Sequence, residues 1–318
     1  MNNSTAVSAA PGKSSGGFTP LAIGLMTGQF IMMVVMVGGN SIFILAIIKY
    51  RKLKTINSMF VANLSLSDLI LGITMSFQIS FFFQPWMEHV KELCILRFQF
   101  VNLFSKAALY SLCLTVIDRF IAITYPLKYP SIMTNTKAYV LIAIMWIYAL
   151  TNALVPIIFD INTWDTADLC LYELVTERKY RLYIHTEDLL LSIFLMVCYS
   201  YIYIVVRRHK RKIATENMAS DRRFLQDKKL AKFSIIIAIV FTICWLPFSI
   251  IQEVQVYKFS VTGAFVGNFA VFLGISNSAI NPFIYTWKNP DFRSAIKKLL
   301  RLEHLPQQTN INSVESIS

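Results

Sequence analysis

The sequence predicts an all-α membrane protein, a bundle of seven membrane-spanning helices followed by a short amphipathic C-terminal helix. Of the 318 residues, 55% are hydrophobic and only 15% are charged, whereas a soluble domain carries about 25% charged residues. Seven apolar stretches recur along the chain, and each is long enough to cross the hydrocarbon core as a helix of about 20 residues. A lipid bilayer is therefore the expected surrounding of most of the chain.

The apolar stretches divide the chain into three parts. They run over residues 21–48, 57–84, 92–124, 137–159, 183–206, 227–252 and 261–287. We therefore expect an N-terminal tail at 1–20, a seven-transmembrane domain at 21–287, and an amphipathic helix with a cytoplasmic tail at 288–318. Between Asn289 and Leu302, Phe292, Ile296 and Leu299 alternate with basic residues, a pattern typical of a helix that lies on the membrane surface.

Basic residues are concentrated in alternate connections between the predicted spans. The net charge is +12, and basic residues cluster in the first loop, between the fifth and sixth spans, and after the last span. Such loops stay on the cytoplasmic side of a membrane. We therefore expect the N-terminus outside the cell and the C-terminus inside, with no binding to nucleic acid. The sequons headed by Asn2 and Asn3 are then candidate glycosylation sites.

Short motifs with polar residues or proline occur in six of the spans. Polar groups are costly inside a bilayer, so each is a functional candidate. In chain order the motifs are Gly39-Asn40, Asn63-Leu64-Ser65-Leu66-Ser67-Asp68, Asp118-Arg119-Phe120, Trp146, Cys244-Trp245-Leu246-Pro247 and Asn281-Pro282-Phe283-Ile284-Tyr285. This ordered set resembles the rhodopsin-like (class A) G-protein-coupled receptors over nearly the whole chain.

The resemblance implies a receptor without enzymatic activity in the plasma membrane. It would bind an extracellular small molecule and activate a heterotrimeric G protein. Two alternatives stay open at this point, a transporter or proton pump and an orphan receptor-like scaffold without ligand-driven signalling. A transporter is expected to show internal repeats, which are not evident in this sequence.

The resemblance also implies a switch at the cytoplasmic side. Arg119 lies beside Asp118, and Asp227 at the start of the sixth span is its expected partner across the bundle. Proline removes a backbone hydrogen bond and weakens a helix locally, so the sixth span is expected to swing outward when that pair breaks. The predicted switch residues are Asp118, Arg119, Tyr199, Asp227, Trp245, Pro247, Asn281, Pro282 and Tyr285.

Two further features follow from the resemblance and from the predicted topology. Asp68, Asn277, Ser278 and Asn281 resemble the family's sodium pocket, although Ala108 replaces its usual serine. No cofactor is expected beyond a weakly bound allosteric sodium ion. Cys94 and Cys170 both lie on the oxidising side, where a disulfide between them is expected. The remaining cysteines, Cys113, Cys198 and Cys244, are expected to be buried in apolar packing.

The sequence identifies the ligand less clearly than it identifies the family. Val101 stands where amine receptors have an aspartate, and Ile275 stands where opsins have the retinal-binding lysine. The loop Cys170-Leu171-Tyr172-Glu173 resembles that of adenosine receptors, but Gln252 replaces their asparagine. An adenosine-like or another small molecule is therefore expected. The predicted pocket comprises Val101, Asn102, Ser105, Lys106, Tyr172, Glu173, Glu187, Trp245, Phe248, Ser249 and Gln252.

Lys106 is an unusual charge inside the third span. An unpaired buried charge is expensive, and alignment through Tyr199 places Glu187 on the pocket-facing side at a similar depth. We therefore predict a Lys106–Glu187 pair. Because Leu191 replaces the proline usual in the fifth span, a register shift would make Asp188 the partner instead. Whether this pair contacts ligand or is purely structural stays open.

Overall fold

The computed structural model describes residues 13–14, 17–18, 20–167, 169–216, 222–258 and 260–300. The described chain is dominated by long helices that pack side by side. Seven are long: α1 Pro20–Lys49, α2 Ile56–Phe83, α3 Lys91–Thr124, α5 Asn135–Ile158, α7 Arg178–Glu216, α8 Arg222–Tyr257 and α9 Val261–Lys288. The other elements are short: strands β1 Lys13–Ser14 and β2 Gly17–Phe18, and helices α4 Tyr129–Ile132, α6 Tyr172–Val175 and α10 Pro290–Leu299.

The long helices confirm the predicted seven-helix bundle. In the part of the chain that the structure describes, α1, α2, α3, α5, α7 and α8 are long and apolar enough to cross a membrane. Helix α9 packs against α1, α2 and α8, and its 28 residues extend about 42 Å at 1.5 Å per residue. Helices α7 and α8 extend beyond the predicted limits at both ends, because an apolar run marks the thickness of the bilayer rather than the end of a helix.

The outer surface of the bundle is apolar. Large side chains such as Ile147, Val197, Ile243 and Phe283 are more than 60% exposed on it. Acyl chains would cover such a surface at no cost, whereas water would not. Because this apolar surface surrounds several membrane-spanning helices, the chain is a multi-pass membrane protein.

The interior of the bundle contains polar groups that join helices to one another. Asn63 of α2 donates to the Ser111 hydroxyl of α3 at 2.6 Å and accepts from the Trp146 indole of α5 at 2.9 Å. Asn40 of α1 donates to the backbone carbonyl of Ser278 in α9 at 3.2 Å. Buried polar groups need such partners, and these bonds fix the relative register of five of the helices.

Helix α10 confirms the predicted amphipathic segment. Its Phe292 ring stacks on Phe43 of α1 with centroids 4.4 Å apart, and its Asp291 pairs with Lys52 at 2.7 Å. The exposed ion pair adds little stability, so the aromatic contact is what holds α10 against the bundle.

The two ends of the bundle carry different landmarks. At one end, which we call the disulfide end, Cys94 at the start of α3 is bonded to Cys170, and the predicted disulfide is confirmed. At the other, the Arg119 end, α3 terminates at Thr124. Cys113 and Cys244 are buried as expected, but Cys198 is only half-buried, at the edge of the core cluster that contains Leu195 and Tyr199.

Candidate functional site

Lys106 forms the centre of an ionic cluster between α3 and α7. Its ammonium is 2.6 Å from Asp188 Oδ1 and 3.0 Å from Glu187 Oε2, and it donates to the backbone carbonyl of Ile184 at 2.9 Å. Lys106 is only 3% exposed. The two alternatives considered from the sequence therefore occur together, since both acidic side chains bind the same lysine.

Glu187 is bound at both of its carboxylate oxygens. Its second oxygen accepts a bond from Tyr110 at 2.7 Å, and Tyr110 packs against Tyr148 of α5. Glu187 also lines a groove of about 570 Å³ on the outer, lipid-facing side of α7. Asp188, the next residue along α7, points instead towards His185, with 3.8 Å between Oδ2 and Nδ1. Asp188 is therefore the acid of the cluster that faces His185.

His185 connects the ionic cluster to the loop that contains α6. Its Nε2 lies 3.0 Å from the Tyr172 hydroxyl, and its ring contacts that of Phe248 on α8 edge to face. Burial raises the pKa of Tyr172 well above its usual value, so the phenol stays protonated. In the tautomer that accepts from the phenol, His185 carries its proton on Nδ1, the atom that faces Asp188.

A second contact joins the same loop to α8. Gln252 donates through Nε2 to Glu173 Oε1 at 2.9 Å, and both side chains are buried. Several buried polar atoms around this site have no hydrogen-bond partner among the described residues, including Ser105 Oγ, His185 Nδ1 and Gln252 Oε1. Buried polar atoms are rarely left unbonded in a protein, so this region has the capacity to bind a further polar molecule.

Two residues of the predicted pocket have other contacts. Val101 packs with the apolar cluster of α1, α2 and α9 that includes Met36 and Ile275. Asn102 donates to the Tyr180 hydroxyl of α7 at 3.2 Å, and Tyr180 in turn donates to the Asn152 carbonyl of α5. Asn102 is therefore engaged in holding α3, α5 and α7 together.

Asp68 lies in the middle of the bundle and is fully buried. Its carboxylate accepts from the Ser278 hydroxyl at 2.6 Å and from the Asn281 amide at 2.8 Å. The Oδ1 atoms of Asn277 and Asn281 have no hydrogen-bond partner in the described chain. Hard cations prefer oxygen ligands of this kind, so the residues present fit a small cation, with Ala108 contributing no oxygen.

Arg119 is bound at the opposite end of the bundle by its neighbour in sequence. Its Nε donates to Asp118 Oδ2 at 2.9 Å, and Tyr129 of α4 donates to the other carboxylate oxygen at 2.7 Å. Asp118 is fully buried and Arg119 nearly so. The predicted partner Asp227 has its side chain outside the described residues, as do Asn2 and Asn3. Tyr199 and Tyr285 are buried in the cluster that also contains Val116 and Ile237.

The sequence model of one receptor family matches most of the chain. It is described as the 7 transmembrane receptor (rhodopsin family), and it covers residues 39–285. The chain belongs to this family. It is a G-protein-coupled receptor of class A, as the ordered motifs from Asn40 to Tyr285 predicted.

Individual relatives are uniformly distant. The chain is 26% identical to the human adenosine receptor A2b, covering 86% of this chain and 88% of the relative. It is 29% identical to the mouse trace amine-associated receptor 9, covering 82% and 80% respectively. The octopamine receptor beta-2R of Chilo suppressalis is 28% identical, covering 87% and 79%. Because the identities to these three receptors are nearly equal and their names are so different, they identify no ligand for this receptor.

Trp245 of α8 is held by close packing against α9 in this receptor. A Cβ added at Gly274 would lie 2.8 Å from Trp245 Cε3, whereas a Cβ added at Gly38 of α1 would meet nothing within 4 Å. The indole also contacts Phe248 and Phe241 on its own helix. The glycine is therefore required by the close approach of the ring.

Gly274→Ala is expected to destabilise the receptor by about 1–3 kcal/mol, because overpacking forces the indole or the α9 backbone to move. The matched control Gly38→Ala adds the same methyl group to open space and is expected to raise stability by about 0.5–1 kcal/mol through helix propensity. Thermal unfolding of both variants in lipid nanodiscs measures this difference. Equal shifts in the two variants would contradict the packing of Trp245 on Gly274.

Sequence reasoning passed over several residues that the structure places in the cluster. Tyr110 and Tyr180 carry no individual signal, because a phenol within a span is ordinary. Arg181 and His185 did carry one, since they share one face of α7 with Asp188, at i, i+4 and i+7. Three ionisable residues on the inward face of α7 are unusual in a membrane helix, and this spacing was the available signal.

Proposed function

We propose that this receptor binds a small polar molecule between α3, the α6 loop, α7 and α8, and that binding activates a heterotrimeric G protein at the Arg119 end. The observation that carries the proposal is the group of buried polar atoms without partners at this site, Ser105 Oγ, His185 Nδ1 and Gln252 Oε1. A bound ligand would supply the missing hydrogen bonds.

The site is connected to the moving parts of the bundle by direct contact. The His185 ring packs on Phe248, which packs on Trp245 with centroids 5.9 Å apart. Pro247 lies two residues after Trp245 in α8 and interrupts the hydrogen bonding of that helix. A ligand that displaces His185 or Gln252 therefore acts on α8 close to its weakest point, and α8 packs against α3 and α7.

We also propose an orientation in the membrane, two glycosylation sites and a cation site. The disulfide end faces the outside of the cell, where oxidising conditions preserve the Cys94–Cys170 bond, and Asn2 and Asn3 are glycosylated there. The Arg119 end faces the cytoplasm and the G protein. The cation that Asp68, Asn277, Ser278 and Asn281 would hold is sodium, which would neutralise the buried carboxylate and favour the inactive packing. The receptor is not an enzyme.

Guanine-nucleotide exchange by a panel of purified heterotrimers tests this function. The receptor, in lipid nanodiscs, is screened with nucleosides, amines, small acids and short peptides. At least one compound is expected to raise exchange, and Arg119→Ala is expected to abolish that rise because the arginine contacts the G protein in the open state. The matched control Lys54→Ala removes an exposed basic residue from the first loop and is expected to change exchange by no more than about twofold.

The outcome also decides between a receptor and a scaffold. Ligand-evoked exchange that persists in Arg119→Ala would contradict the proposed output site. No basal or ligand-evoked exchange with any heterotrimer would favour a scaffold that acts through contacts alone.

A further inference from the structure

Two opposite charges lie close to the proposed ligand site without forming an ion pair. Arg181 is 6% exposed and Glu173 is 9% exposed. The two groups interact electrostatically, yet neither is within 4 Å of an oppositely charged group among the described residues. Buried charges are normally paired, so each of these residues has an unfilled capacity to bind a charged group.

The unbonded atoms show what kind of group would fill that capacity. Nε and Nη1 of Arg181 are buried donors with no hydrogen-bond partner in the described part of the chain. A guanidinium presents such N–H groups in a planar fork that matches the two oxygens of a carboxylate. The Arg181 side is therefore suited to an acid.

The part of the site around Glu173 is suited to a protonated amine. Glu173 receives one hydrogen bond, from Gln252, at Oε1, and Gln252 Oε1 is a buried acceptor without a partner among the described residues. A carboxylate and an amide oxygen close together form a binding site for an ammonium group, which carries donors and no acceptor.

We propose that the receptor site takes a small zwitterion, whose acidic group binds Arg181 and whose ammonium group binds Glu173 and Gln252. The inference rests on the proposed ligand site and names the class of ligand. Simple amines leave the Arg181 guanidinium buried and unpaired, and simple acids bring a negative charge next to Glu173. Both acids of α7 already have a cation partner, since Lys106 binds Glu187 and Asp188.

The rings around the site favour an uncharged aromatic or aliphatic body between or beside the two charged groups. Tyr172 packs edge to face on Phe98 of α3. Tyr172 and Phe248 both contact the His185 ring edge to face. These surfaces are apolar and need a ligand group that excludes water.

Binding of two sets of three matched compounds to the purified full-length receptor in nanodiscs tests the ligand class. The first set is L-phenylalanine, 2-phenylethylamine and 3-phenylpropionate, which share one body and differ in charge. L-leucine, 3-methylbutylamine and 4-methylpentanoate form the second set. In at least one set the zwitterion is expected to bind about 10- to 100-fold more tightly than its amine and acid, the factor expected for one charge-assisted hydrogen-bonding group. Equal or tighter binding of the amine or the acid in both sets, or no binding of either zwitterion at millimolar concentration, would overturn the proposal.

Two variants assign the charged groups. Arg181→Gln is expected to reduce the affinity of the zwitterion to that of its amine, and Glu173→Gln to reduce it to that of its acid. Arg181→Lys retains the charge without the planar fork, and an intermediate loss is expected. The matched controls are Arg178→Gln and Glu92→Gln, which change exposed residues nearby and should leave affinity unaltered. An unchanged affinity in Arg181→Gln would overturn the assignment.

Nucleotide exchange on the same preparation separates this proposal from the proposed function. A zwitterion that binds through Arg181 but evokes no exchange leaves the ligand class standing and contradicts the signalling function. A neutral or purely cationic compound that evokes Arg119-dependent exchange, while neither zwitterion binds, supports the signalling function and overturns the ligand class.

Discussion

Lys106→Met is expected to destabilise the receptor by about 3–5 kcal/mol, the cost of leaving buried acids without their cation. The lysine is the shared partner of Glu187 and Asp188, and its loss leaves two adjacent negative charges between α3 and α7. Thermal unfolding of the purified receptor and its abundance at the cell surface measure the effect.

The triple variant Lys106→Met, Glu187→Gln, Asp188→Asn removes all three charges and is expected to recover most of that loss, because neutral groups no longer need a counter-ion. Lys91→Met is the matched control, since Lys91 pairs with the exposed Asp160 at 3.0 Å, and such a surface pair contributes at most about 1 kcal/mol. A triple variant no more stable than Lys106→Met would show that packing of the lysine stem, rather than its charge, is what matters.

Asp118→Asn is expected to raise basal nucleotide exchange about tenfold or more. The Asp118 carboxylate holds Arg119 and accepts from Tyr129, and a charge-assisted hydrogen bond contributes roughly 1.5–3 kcal/mol. Weakening it shifts the bundle towards the state in which Arg119 is available to the G protein. Exchange by the receptor without ligand, normalised to receptor amount, gives the measurement.

Tyr129→Phe serves as the graded control for this effect. It removes the bond from the α4 phenol to Asp118 and the longer contact from Arg119 to the phenol oxygen at 3.5 Å, and it leaves the Arg119–Asp118 pair intact. A smaller rise of a few fold is therefore expected, from about 1 kcal/mol. Basal exchange that falls in Asp118→Asn, or that rises more in Tyr129→Phe, would contradict the role of Asp118 in restraining Arg119.

The long helices could be predicted because lipid imposes one strong constraint on sequence. Apolar runs of sufficient length mark each span, and the amphipathic α10 follows from the spacing of Phe292 and Ile296. Hydropathy could not predict where α7 and α8 begin and end. Their helical hydrogen bonding continues through the charged residues on both sides of the apolar run.

The candidate site was harder to predict for two physical reasons. Adjacent residues on a helix point about 100° apart, and no proline at Leu191 fixed the register. The sequence therefore left open whether Glu187 or Asp188 is the partner of Lys106, and in the structure both are. The contact between Glu173 and Gln252 joins residues 79 positions apart, and nothing local in the sequence encodes how the α6 loop folds onto α8.

The coupling between the ligand site and the Arg119 end can be tested by one measurement. This is the affinity of the receptor for its activating ligand, with and without nucleotide-free G protein. If the site beside the α6 loop and the Arg119 end are coupled through α8, the G protein must raise ligand affinity by the same factor as the ligand raises G-protein affinity, typically about 5- to 150-fold. We expect such a rise in the wild type and its loss in Arg119→Ala. A ligand affinity that is unchanged by the G protein, with binding still dependent on Gln252 and Arg181, would contradict it.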